Sequence, residues 1–142
     1  MPAISKMKNE IRATIEQFFT ALDKQEFKLM NNIIAHDTEM VHIGTDRDEI
    51  WKGWQVLRTA TVEQFKELEY YDADIKNLQI NLSDTGQVAW YAHLLDARIK
   101  SNGREHRWLD ARFTGVLEKR NGQWVLVQTH VSLPEAKQTR EQ

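Results

Sequence analysis

The residues best suited to chemistry lie near the end of the chain. Gln128, His130 and Ser132 alternate along a segment that also carries Trp124 and Leu126. Alternate side chains of a strand share a face, so if Trp124 points to the interior, Gln128 and His130 follow it. A neutral imidazole at the floor of a pocket could bind a carboxylate or carbonyl, or act as a general base near neutral pH. It could equally be a buried histidine satisfied by its neighbours. His93 and Tyr91 share one face of an earlier segment, and His42 is a further candidate on a short one. Two histidines and a phenol converging from neighbouring strands would orient a ligand in an otherwise apolar cavity, although Tyr91 suits core filling as well. Trp51 and Trp54 flank Gly53. They read either as an aromatic wall for a planar ligand or as a hydrophobic clamp at a helix start.

Other chemistries lack their residues. There is no cysteine, which excludes disulfides, thiolate catalysis and cysteine-based metal sites, and suits a reducing compartment. Among His36, His42, His93, His106 and His130 no His-x-His or His-x3-His spacing occurs, so no metal is expected. The run Asp46-Arg47-Asp48-Glu49 lacks the central glycine and terminal glutamate of a calcium loop. Neither a glycine-rich phosphate loop nor Gly-x-Ser-x-Gly is present, so nucleotide hydrolysis and serine-hydrolase chemistry have no support; no cofactor is expected. Arg98, Lys100, Arg104, His106 and Arg107 gather at one hairpin tip, where charges solvate strand ends. With a net charge of −2, nucleic acid and acidic membranes are not expected partners. No apolar run nears the roughly 18 residues of a membrane helix, and the N-terminus lacks a signal-peptide core. A soluble cytoplasmic protein is the expectation.

The elements that must position these groups follow from periodicity. Ile4, Met7, Ile11, Ile15, Phe18, Phe19 and Leu22 are spaced three or four apart, which predicts an amphipathic helix from about Ser5 to Lys24. Phe27, Met30, Ile33 and Ile34 predict a short second helix folded back on it. Glu39 to Ile43 reads as a short strand, and Trp54, Leu57, Thr61, Phe65 and Leu68 mark a third helix after Gly53. From Tyr70 the period changes to two. Four strands are expected near Asp74–Leu82, Val88–Lys100, Arg104–Lys119 and Gln123–Leu133, separated by turns at Asp84-Thr85-Gly86, Ser101-Asn102-Gly103 and Asn121-Gly122. Helices followed by a strand meander indicate an α+β domain, with a curved antiparallel sheet wrapped around the long N-terminal helix. Without repeats or linkers, residues 1–142 read as a single domain with its core at about 5–134.

The strand alternation separates two faces. Ala89, Tyr91, His93, Leu95 and Ala97, with Leu109, Ala111, Phe113, Gly115 and Leu117, form the more apolar set and are assigned to the concave side. The opposite face mixes Trp90, Trp108 and Val116 with Asp96, Arg98, Asp110 and Arg112. Aromatic anchors among paired charges fit a partner surface, so a homodimer through this convex face is expected.

Together these segments resemble a known family. Glu49-Ile50-Trp51-Lys52-Gly53, Val88-Ala89-Trp90, Arg112-Phe113-Thr114-Gly115-Val116-Leu117, Asn121-Gly122-Gln123-Trp124-Val125-Leu126-Val127 and His130-Val131-Ser132-Leu133-Pro134 occur in an order and spacing similar to the SnoaL-like group of the nuclear transport factor 2-like superfamily. That group is related to the calcium/calmodulin-dependent kinase association domain. The resemblance implies a cone-shaped α+β barrel, frequent dimerisation and a pocket between sheet and helices. It does not imply a reaction, because members include isomerases, cyclases, dehydratases and oligomerisation domains. The isomerases use an aspartate base, where this chain offers His42 on the strand before Gly53. The leading expectation is a domain binding a small apolar or anionic molecule through His130, His93, Tyr91 and Gln128. The alternatives are a cofactor-independent isomerase, cyclase or dehydratase with a histidine as acid–base, and an oligomerisation or partner-binding module.

Overall fold

The computed structural model describes residues 2–135. Its elements in chain order are α1 (Pro2–Lys24), α2 (Phe27–Ile33), β1 (Val41–Ile43), β2 (Ile50–Lys52), α3 (Trp54–Glu67), β3 (Leu68–Leu82), β4 (Val88–Ser101), β5 (Arg104–Arg120) and β6 (Gln123–Ser132). The α+β class holds. One six-stranded sheet, ordered β2-β1-β6-β5-β4-β3, remains open at its two edges. It is mixed: β1 runs parallel to β6, and the other pairings are antiparallel.

Helix α1 buries the stripe its spacing predicts, with Ile11, Ile15, Phe18, Phe19 and Leu22 in the core. Ile4, near its start, stays exposed. Gln25 takes a positive φ of 53°, which ends the helix and turns the chain into α2. The core lies between α1 and the concave face of the sheet. Ala89, Tyr91, His93, Leu95, Ala97, Ala111, Phe113 and Leu117 all point into it. Gly115 belongs to the same face. A Cβ there would meet the Tyr91 ring at 2.6 Å, so the missing side chain is what admits the phenol.

Two elements differ from the periodicity. Ile50–Lys52 is a strand, paired with β1 through Ile43↔Ile50, His42↔Trp51 and Val41↔Lys52. β3 starts directly at the end of α3 instead of near Asp74, because Leu68 and Tyr71 are buried and residues 68–73 already pair with β4; two register shifts interrupt the strand.

Bulges also redraw the faces. On β5, Leu95↔Ala111 is followed by Ala97↔Trp108, so Leu109 and Asp110 together oppose Asp96. The extra residue, with Asp110 at φ 56°, reverses the alternation beyond it. Leu109, assigned to the concave side, is 64% exposed, while Trp108 turns inward to pack against the core. On β6, Val116↔Gln128 is followed by Leu117↔Leu126, leaving Val127 as the extra residue. Trp124 and Leu126 face the core, and past the bulge Thr129 and Val131 face it in their turn. Gln128 and His130 therefore lie on the exposed side, opposite to the sequence expectation.

No helix among the described residues is long and apolar enough to cross a membrane.

Candidate functional site

The inward turns after the bulges converge on one cavity of about 370 Å³. Phe18 and Leu22 of α1 and Met30 of α2 form one wall. Leu57, Ala60, Thr61 and Gln64 of α3 form the wall beside it, and Tyr71, Ile99, Trp108 and Phe113 of the long strands form the back. The β1–β2 hairpin closes the remaining side with His42, Gly44, Asp46, Glu49 and Trp51, next to Thr129 and Val131 of β6.

The polar centre is a pair the alternation did not foresee. His42 Nδ1 lies 2.5 Å from Thr129 Oγ1, and Thr129 is only 1% exposed. The His42 ring is also stacked on Trp51, with centroids 5.5 Å apart and planes 9° from parallel. Hydroxyl and indole together fix the imidazole, and with Nδ1 engaged, Nε2 is the ring nitrogen available to an occupant. Burial, with a smaller push from His130, lowers the His42 pKa to about 4. The imidazole is therefore uncharged at neutral pH. Either tautomer satisfies Thr129, so Nε2 can donate or accept. Tyr71 adds a phenol whose ionisation is pushed up by burial.

The remaining candidates separate. His93 and Tyr91 do come together, stacked at 5.8 Å, but inside the core and away from the cavity lining. His93 is also stacked on Phe113 at 5.2 Å and meets the edge of Phe19. Its Nδ1 pairs with the Leu94 carbonyl, and Nε2 is buried without a partner. Burial lowers its pKa. His93 is thus a core ring, held neutral under α1. Trp54 parts from Trp51: it is buried against His36, at 4.3 Å, and Phe27, clamping the start of α3. Gln128 and His130 are exposed on the far side of the sheet.

Of the residues assigned to the convex face, Trp108 lines the cavity instead. Trp90 stays outside, 46% exposed. Lys76 joins Asp96 and Asp110 at 3.0 and 2.8 Å there, and Arg98 pairs with Glu105 at 3.1 Å. Arg112 Nε donates to Ser132 Oγ. Among the described residues no group of three or more His, Asp or Glu side chains is placed to hold a metal ion.

A family model for the SnoaL-like domain matches residues 11–136. The chain belongs to the SnoaL-like family. Its architecture is shared with solved structures at low sequence identity. A nuclear transport factor 2-like superfamily protein from Salmonella enterica serovar Typhimurium is 19% identical, with a TM-score of 0.81 over 94% of this chain and 95% of that one. A candidate dehydratase of the same family from Streptomyces avermitilis is 12% identical, with a TM-score of 0.80 over 93% and 99%. A candidate calcium/calmodulin-dependent protein kinase II association domain from Xanthomonas campestris is 22% identical, with a TM-score of 0.74 over 89% and 88%. No curated protein is significantly similar in sequence. At these identities the likeness establishes the cone-shaped fold of this SnoaL-like chain and leaves its chemistry to its own residues.

Proposed function

We propose that this SnoaL-like domain binds a compact, largely apolar molecule that presents one hydrogen-bonding group to His42. The observation that carries the reading is the His42–Thr129 pair set in the wall of a cavity whose floor and back are aromatic and aliphatic, with Phe18, Leu22, Trp51, Leu57, Trp108 and Phe113. A volume of about 370 Å³ is near the lower end for small-molecule sites, which favours a ligand of one or two rings. The lining carries Asp46 and Glu49 and no lysine or arginine, so an anionic end, one of the sequence expectations, meets two carboxylates and, besides His42, only the His106 imidazole as a basic group.

The second reading is catalysis by a pocket histidine, the chemistry suggested by the dehydratase candidates among the similar structures. His42 replaces His130 in that role. A pKa of about 4 makes it a weak base at neutral pH, well below the range that favours proton abstraction. Its neutral N–H is better suited to hydrogen-bonding a carbonyl, which serves binding directly. Binding is therefore the preferred reading. A homodimer through the convex face is supported by the exposed Trp90 and by Leu109, exposed next to Asp110 of the Lys76–Asp96–Asp110 network.

Calorimetric titration of 2-naphthol into wild type and Ala60→Phe tests the binding reading. Ala60 lines the cavity from α3, so the added ring fills it. Binding to wild type that the variant abolishes, with its fold intact by circular dichroism, is the expected result. Equal affinities would place the ligand elsewhere and overturn the reading.

A further inference from the structure

One end of the cavity has a charge character that the fold has gone out of its way to build. β1 and β2 pair His42 with Trp51, and inner-face parity on the same hairpin then includes Gly44 and Glu49. The Gly44 N–H donates to the Glu49 carbonyl at 2.8 Å, closing the hairpin. Glu49 folds its side chain back across Gly44: a Cβ on Gly44 would collide with the Glu49 carboxylate oxygen and lie 2.9 Å from the Glu49 Cβ. The Asp46 N–H donates to Glu49 Oε1 at 3.1 Å and fixes that pose. A glycine two residues on from His42 thus leaves room for the carboxylate of Glu49, two residues before Trp51, over the inner face of the hairpin.

This carboxylate has no cationic partner among the described residues. Among the described residues neither Glu49 nor Asp46 takes part in a salt bridge, and the cavity lining contains no lysine or arginine. The rest of the wall offers the π faces of Phe18, Trp51, Tyr71 and Trp108, with Thr61, Gln64 and the imidazole of His106 among them. Aromatic faces attract cations, most strongly where water is excluded. The neutral imidazole of His42 completes the set, since a charged ring would repel a cation and an uncharged one can accept its N–H.

We propose that the cavity selects organic cations, specifically an amine carried on a compact aromatic or aliphatic body, with Glu49 as its counter-ion. The proposal rests on the cavity being the binding site and adds the charge of the occupant. The body of the ligand packs among the rings, and its ammonium group sits at the hairpin end between the Glu49 carboxylate and His42.

Three probes of one shape separate the two claims: 2-phenylethylamine, the neutral 2-phenylethanol and the anionic 3-phenylpropionate, titrated by calorimetry at pH 7.5. The amine is expected to bind wild type about tenfold more tightly than the alcohol, a difference of about 1.4 kcal/mol, with the acid weakest. Raising salt should weaken the amine and leave the alcohol unchanged. Glu49→Gln keeps an oxygen for the Asp46 N–H, so the hairpin holds, and it should bring the amine down to the affinity of the alcohol. If the amine binds no better than the alcohol, or Glu49→Gln weakens both equally, the cation proposal fails while the binding reading stands. If none of the three binds wild type, both fail together.

Discussion

Replacing Thr129 by valine removes one hydroxyl and almost no volume, from a side chain that is 1% exposed. What disappears is the 2.5 Å contact with His42 Nδ1. A polar nitrogen left without its partner in a partly buried site should cost about 1–3 kcal/mol. For a domain of this length that lowers Tm by roughly 3–5 °C per kcal/mol. His42→Phe performs the reciprocal deletion: it keeps a ring to stack on Trp51 and strands the Thr129 hydroxyl instead. When both changes are made, both polar atoms are gone and neither is stranded, so the double variant should be more stable than the sum of the single losses by about 1–2 kcal/mol. Urea unfolding of the four proteins measures this, with unchanged m values guarding the comparison. Strict additivity would refute the reasoning, because it would mean that the two side chains do not sense each other. The placement of the pocket histidine would then have to be abandoned.

Three further outcomes are expected. The His42 pKa falls from 6.5 in the unfolded chain to about 4 in the folded one, so the unfolded state takes up the proton first. Stability attributable to this ring is fully present above about pH 6.5, is lost as pH drops toward 4 and levels off below it. The total is about 3 kcal/mol at most, and His42→Phe should remove that part of the decline in a pH series of urea melts. Gly115→Ala drives a methyl group into the Tyr91 ring and should cost roughly 1–3 kcal/mol, read as a lower urea midpoint; an unchanged midpoint would show that the ring moves freely. Light scattering should give about twice 16.7 kDa for wild type and a lower mass for Trp90→Ser, while a wild-type mass of 16.7 kDa at micromolar concentration would contradict the convex-face dimer.

The fold was largely legible because it rests on period. The three-and-four spacing of α1 and the turns at Gly86, Gly103 and Gly122 each leave a direct trace in the residue order, and all three of those glycines take the positive φ such turns require. The site was less legible because it rests on departures from period. One extra residue at Val127 sends Thr129 inward and His130 outward, and another at Leu109–Asp110 brings Trp108 into the cavity. Alternation alone carries each strand straight through such a bulge. A signal was present: apolar residues sit at even positions in Trp124 and Leu126 and at odd positions in Val131 and Leu133, a parity switch within one strand. Similarly, Ala111, Phe113 and Leu117 are odd while Trp108 is even. Glu49 gave no such trace, since its position depends on a hairpin whose second strand is only three residues long. Of the candidates His42, His93 and His130, only His42, upstream of every bulge, lines the cavity.

The most direct test of the account is NMR of the five histidine side chains during a titration with 2-naphthol. The His42 resonances should shift with ligand while those of His130, on the opposite face of the sheet, stay in place. Movement of His130 with His42 unchanged would contradict the account and restore the unbulged register of β6.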